Sequence, residues 1–332
     1  MKTTLHASVA LVFDVSYGIC LSLLYGIMAA GQLLGFLGLY RPGPAVLLSL
    51  ILAVLAGFLY FRENPRSAAE EHNPPSWLQV LLAGAALLVV VVLVAAPLLN
   101  WPAAPIGREL TWDAGAYHFP KAVELYRSGS AWDLSVAYGD YPFGYESLLA
   151  FGLTLTGDER LFGGLHLLIA LFFWLSVWKL ARRYSGLPSG LLLFASAALL
   201  VVGILPAGRG LLLGGGMHIE DARTWLLSGY ALTVGKNDFL LGAALLAVIL
   251  HSPVGPRRRS HPQEDAGVSA PVLADGPPQG DFAPLALGMA AMLAIATKPN
   301  ALGVVGPIGL YVLWTVWSRQ RSRPGLAGSH AG

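Results

Sequence analysis

The chain has 332 residues, of which 55% are hydrophobic and only 12% charged, with a formal net charge of +2. A soluble domain carries about 25% charged residues, so half that share, spread over several long apolar runs, excludes an ordinary globular protein and points to a polytopic membrane protein. The small net charge gives no case for nucleic acid, and the lone cysteine, Cys20, excludes an intrachain disulfide and a cysteine metal site.

Residues 7–40 form the first apolar run. It continues far past a signal-peptide core of about 7–15 residues and contains Asp14, so it reads as one long or tilted span that is retained. A charge at the bilayer centre costs roughly 2.5–3.5 kcal/mol, which puts Asp14 near an interface, in a pair, or in its neutral form. Arg41-Pro42-Gly43-Pro44 predicts a tight turn. A second span follows at 45–61, then a solvated loop at 62–76 and a third span at 77–99, with Trp77 and Trp101 as interface anchors.

Residues 100–160 form a long polar loop. Within it, Pro120 opens a short helix over 120–127, since proline is tolerated in a first helical turn. Leu125, Tyr126 and Trp132 suit a helix lying on the membrane surface. Residues 146–155 are apolar but too short to span, which predicts a re-entrant or interfacial element. The fourth span covers 161–180 and ends in Arg182-Arg183; the fifth covers 187–205. A second polar loop, 207–235, carries Gly214-Gly215-Gly216 and then His218, Glu220, Asp221 and Arg223. The sixth span runs over 236–250, and 251–281 is rich in Pro, Gly, Asp and Ser, a composition that predicts disorder. The last hairpin consists of 282–297, a break at Lys298-Pro299-Asn300, and 301–317.

The expected fold is therefore an all-α, polytopic membrane helix bundle of about eight spans, with short interfacial helices in its long polar loop. Its parts are an N-terminal hairpin and loop (1–76), a membrane core (77–250), a linker (251–281), and a C-terminal hairpin with a basic tail (282–332). The Lys/Arg clusters at Arg182, Arg257–Arg259 and Arg319–Arg323 set the cytoplasmic side. The alternation then places 100–160, 207–235 and Lys298 together on the extracytoplasmic face.

Several residues on that face have chemical potential. Asp113 suits a general base or a ligand of a divalent cation, and equally a helix cap. Tyr117 and His118 follow it at i+4 and i+5; His118 suits a ligand, a proton relay or a phosphate contact. Tyr141-Pro142 and Glu146 close the loop, with Glu146 either a second acid facing Asp113 or an exposed acid favoured by a helix dipole. Arg223 suits a phosphate, while His218, Glu220 and Asp221 have no diagnostic ligand spacing. Asp238 opens a span, and Lys298 interrupts the last hairpin, as a phosphate contact or an interface anchor. His166 reads as a packed histidine inside the fourth span. No P-loop, dinucleotide fingerprint, nucleophile elbow or zinc-protease motif occurs, so no nucleotide is expected.

The order of Trp112-Asp113, Tyr117-His118-Phe119-Pro120, Tyr141-Pro142 and Glu146 after an apolar span resembles the GT-C class of integral-membrane glycosyltransferases. Gly235-Lys236-Asn237-Asp238-Phe239 and Thr297-Lys298-Pro299 are also similar to that class, which includes the protein mannosyltransferase and aminoarabinose-transferase-like families. The resemblance implies transfer of a sugar from a polyprenyl-phosphate donor to a lipid, glycan or protein acceptor outside the cytoplasm, in the plasma membrane. It implies Asp113 as base or as a ligand of a divalent cation such as Mg or Mn, to which His118, by its own chemistry, could add a ligand. It places Lys298 beside the donor phosphate and Glu146 and Asp238 at acidic positions of the site. Such enzymes have more spans and often a soluble C-terminal domain, so the chain reads as a minimal or truncated member. The alternatives are a transporter or flippase of a lipid-linked or anionic solute, and a non-catalytic membrane subunit.

Overall fold

A computed structural model of the chain describes residues 2–64, 114–132, 143–185, 237–252 and 283–321. Among the described residues all regular structure is helical. Helix α1 spans Lys2–Phe36 and α2 Pro42–Glu63. A π-helical turn, Ala114–His118, leads into α3, Phe119–Ser128, and α4 spans Gly144–Thr156. A 3-10 turn at Glu159–Leu161 leads into α5, Phe162–Ser185. Helix α6 spans Asp238–His251 and α7 Pro284–Thr297, and a 3-10 turn at Pro299–Ala301 leads into α8, Leu302–Arg321.

The helices start and stop where local chemistry dictates. Pro42 and Pro284 sit in the first turns of α2 and α7, where the missing N–H is no loss. Chain reversal after α1 falls at Leu37–Arg41, and the Pro42-Gly43-Pro44 stretch expected as a turn belongs to α2. The short apolar stretch at 146–155 lies in α4, and the break at Lys298 is real: its backbone is extended between two helices.

Three helices are long and apolar enough to cross a membrane, Val12–Phe36, Pro42–Glu63 and Glu159–Ala181. Helices α6 and α7 are apolar but have 14 residues each. At 1.5 Å per residue that is about 21 Å, short of a hydrocarbon core of about 30 Å. The expected spans at 77–99 and 187–205, and the loop at 207–235, lie outside the described residues.

Helix α1 is the centre of the packing. A Cβ on Gly26 would stand 2.6 Å from the Ala53 nitrogen and 2.7 Å from the Ser49 oxygen, so only hydrogen fits where α1 and α2 cross. On its next face α1 meets α5 through rings: Phe13 lies 5.4 Å from Trp174 and 4.9 Å from Trp178. The outer face of α2 exposes Leu47, Leu50, Ile51, Val54, Leu55 and Phe58. That i, i+3, i+4 stripe of aliphatic surface suits lipid and not water.

Polar contacts tie one end of the bundle. Lys179 of α5 pairs with Asp14 of α1, and Arg183 donates to the Leu250 carbonyl. Tyr17 Oη hydrogen-bonds His251 Nε2 at 3.0 Å, and Glu63 Oε2 accepts from the Leu285 N–H at 3.0 Å. Asp14 is therefore paired, one of its three expected options. Two expectations need correction. His251, assigned from sequence to the linker, is the buried last residue of α6, because Tyr17 supplies a partner for its ring. Leu125, expected on a membrane surface, is fully buried, because α3 turns that face toward Gly35 of α1.

Candidate functional site

The opposite end of the bundle holds two pairs of chemically active side chains. The first is built by α3, α4 and the turn before them. His118 Nδ1 donates to Glu146 Oε1 at 2.7 Å, and both side chains are nearly fully buried. The π-helical turn aims His118 inward, and Glu146 sits in the first turn of α4, where an acid suits the helix dipole. The second oxygen of that carboxyl, Oε2, is buried with no hydrogen-bond partner among the described residues. An orphaned buried oxygen costs roughly 1–3 kcal/mol unless a water, ion or ligand meets it. The exposed-helix-start reading of Glu146 is therefore wrong: α1, α3 and α5 close over it.

Around this pair lies an aromatic frame. The Tyr117 ring centroid is 4.1 Å from that of His118, and Tyr145 meets His118 edge to face at 5.0 Å. Tyr145 is held in turn by His166, with Oη 2.6 Å from Nε2. The Phe162 carbonyl, 2.7 Å from His166 Nδ1, can only accept. Nδ1 therefore carries the hydrogen, and in the neutral ring Nε2 accepts from Tyr145. His166 is a packed histidine, as its place inside a span indicated, and its partner orients the ring that lies against His118.

The second pair joins α6 to the break after α7. Lys298 donates to Asp238, and Asn237 Nδ2 donates to the Thr297 carbonyl at 3.3 Å. Asp238 is 63% exposed, so this pair opens outward while the first is closed in. The two are brought together by Gly144: a Cβ there would stand 2.6 Å from the Ala296 oxygen and 2.7 Å from Met28 Cε. The start of α4 thus touches the end of α7 directly. Met28 lies eight residues before the end of α1. The start of α4 also meets α1 nearer that end: a Cβ on Gly31 would stand 2.4 Å from Ser147 Cβ, and one on Gly35 2.9 Å from Phe143 Cε2. Helix α7 ends at Thr297 because Lys298, the residue before Pro299, is held extended.

Of the residues named from sequence, the structure brings His118, Tyr117 and Glu146 together, and Asp238 and Lys298 together at the same end of the bundle. Asp113, Tyr141 and Arg223 lie outside the described residues, as do His218, Glu220 and Asp221. Among the described residues no group of three or more His, Cys, Asp or Glu side chains is arranged to hold a metal ion. Sequence reasoning missed Lys121, which is fully buried one turn after His118. Its signal was available: Lys121 and Leu125 are four apart on α3, so they share its inward face. It also missed Tyr145 and Asn237, whose roles arise from partners far away in the chain.

No protein-family model, no curated protein and no solved structure matches this chain.

Proposed function

We propose that this protein is a plasma-membrane glycosyltransferase of about eight spans, moving a sugar from a polyprenyl-phosphate donor to a lipid, glycan or protein acceptor on the extracytoplasmic side. The observation that carries the reading is the Glu146 carboxyl, anchored through one oxygen by His118 and left unpartnered at the other inside the bundle. One fixed and one open oxygen is the state a group needs to receive a hydroxyl proton or orient a sugar hydroxyl. The Lys298 ammonium, held by Asp238 at the same end, supplies positive charge for a leaving phosphate. Asp113, which directly precedes the turn that delivers His118, is assigned the role of base or cation ligand beside this pair. Because His118 Nδ1 faces Glu146, a Mg or Mn ion bound with Asp113 would meet the other ring nitrogen; the carboxylate behind the imidazole is the usual outer support of a ligating histidine. Tyr141 and Arg223 are proposed to complete the donor contacts from the loops that carry them.

The test is transfer of labelled sugar from a polyprenyl-phosphate donor by purified protein in vesicles. Glu146→Gln is expected to lower the rate by roughly 10²–10⁴-fold, the scale of a lost acid–base group. Asp113→Ala and Lys298→Ala are each expected to lower it by at least about 10²-fold, the scale of lost charge stabilisation. Equal rates in all three variants refute the assignment. The burial of the His118–Glu146 pair inside the bundle favours a second reading, a transporter or flippase of a lipid-linked or anionic solute. It is adopted if the parent moves solute across the vesicle and transfers no sugar.

A further inference from the structure

The corner between α1 and α2, together with the segment after α3, carries an unusual combination of an apolar surface and a satisfied backbone. Leu37, Leu39 and Trp132 expose 60%, 55% and 72% of their surface, beside half-exposed Leu33 and Phe36. In water such loops leave backbone groups to solvent. Here Leu37, Gly38 and Leu39 donate to the carbonyls of Leu33, Gly35 and Leu34, and Tyr40 donates to Gly129. The facing segment behaves the same way. Gly129 donates to Leu125 and Ala131 to Gly35, while Ser130 and Trp132 donate to the hydroxyls of Ser128 and Ser130. The eight N–H groups of residues 37–40 and 129–132 therefore have partners inside the protein. Even the Trp132 indole N–H, which an interfacial tryptophan normally offers to water, donates to the Phe36 carbonyl at 2.8 Å.

Pairing of these N–H groups inside the protein, under an apolar skin, suits irregular chain set against hydrocarbon, where an unpaired donor finds no water. The charges agree. Arg41 caps the start of α2 and Arg62 lies in its last turn. They are 21 residues apart, which at 1.5 Å each separates them by about 32 Å, one hydrocarbon thickness. Leu37 and Leu39 precede Arg41 in the reversal, and the exposed aliphatic residues of α2 begin at Leu47. The Arg41 guanidinium itself donates to the carbonyls of Ser128 and Tyr40, which closes the segment at the boundary.

We infer that this corner, residues 33–39 with 129–132, is immersed in the acyl chains of the bilayer leaflet at that end of the bundle, with Arg41 marking the water boundary. The partner is lipid hydrocarbon, and the Trp132 ring lies among the chains and not at the headgroups.

The test uses the full chain in phosphatidylcholine–phosphatidylglycerol vesicles, in a Cys20→Ala background with single nitroxide labels. Labels at Leu39→Cys and Trp132→Cys are compared with Val54→Cys on the lipid-facing stripe and Arg160→Cys on an exposed turn. The two corner labels are expected to collide several-fold more with oxygen than with a water-soluble nickel chelate, as the Val54 label does. Chelate collisions matching the Arg160 label overturn the inference. Because a label could disturb the corner, the unlabelled chain and Trp132→Phe are compared with lipids brominated along their acyl chains. A loss of quenching in Trp132→Phe supports immersion; unchanged quenching overturns it.

Discussion

The pairing of His118 with Glu146 makes a definite prediction about stability against activity. Replacing Glu146 by Met removes the orphaned Oε2 but leaves the His118 Nδ1–H buried without an acceptor. A buried donor left unsatisfied costs about 1–3 kcal/mol. Replacing both, as His118→Phe with Glu146→Met, removes every polar atom of the pair and fills the space with apolar groups of similar volume. Exchanges of that kind are neutral or stabilising by up to about 4 kcal/mol. The double variant is therefore expected to be at least about 1 kcal/mol more stable than Glu146→Met, while sugar transfer or solute flux is lost. Unfolding by SDS titration in bicelles, followed by tryptophan fluorescence, measures all four members of the cycle. If the double variant loses the sum of the two single losses, the pair is structural and the argument that its orphaned oxygen is retained for function fails.

Three further outcomes follow from contacts elsewhere. Gly26→Leu drives a side chain into the backbone of α2 at Ala53 and is expected to cost about 1–3 kcal/mol or more, read as a lowered midpoint in the same titration. Tyr145→Phe removes the hydroxyl that meets His166 Nε2 and is expected to cost about 0.5–1.5 kcal/mol; a midpoint equal to the parent's would refute the bond. Lys179→Met strands Asp14, but that carboxyl is 43% exposed, so the loss is held to about 1 kcal/mol, and adding Asp14→Asn is expected to restore the midpoint.

The sequence by itself determined the class of the protein and the position of most described elements. Apolar runs of span length, broken by Pro and charged clusters, left the backbone no option but helix in a medium without water. Even the short elements were legible: the apolar stretch within α4 was too brief to span, and Pro120 marked the start of α3. The sequence led to the expectation of His118, Glu146, Asp238 and Lys298 on one face through an alternation of eight spans, and the described residues hold them at one end of the bundle. Only the tertiary structure decided what each of those groups touches. That Glu146 is buried, that Lys298 pairs with Asp238, and that Lys179 answers Asp14 depend on contacts 28, 60 and 165 residues apart. Hydropathy carries no term for such partners. It records how much a residue prefers lipid, while burial of a polar group is decided by whether a distant donor or acceptor arrives to meet it. The meeting of α4 with α7 was hidden for the same reason: the approach of Gly144 to Ala296 and Met28 is a packing event between segments far apart in the chain.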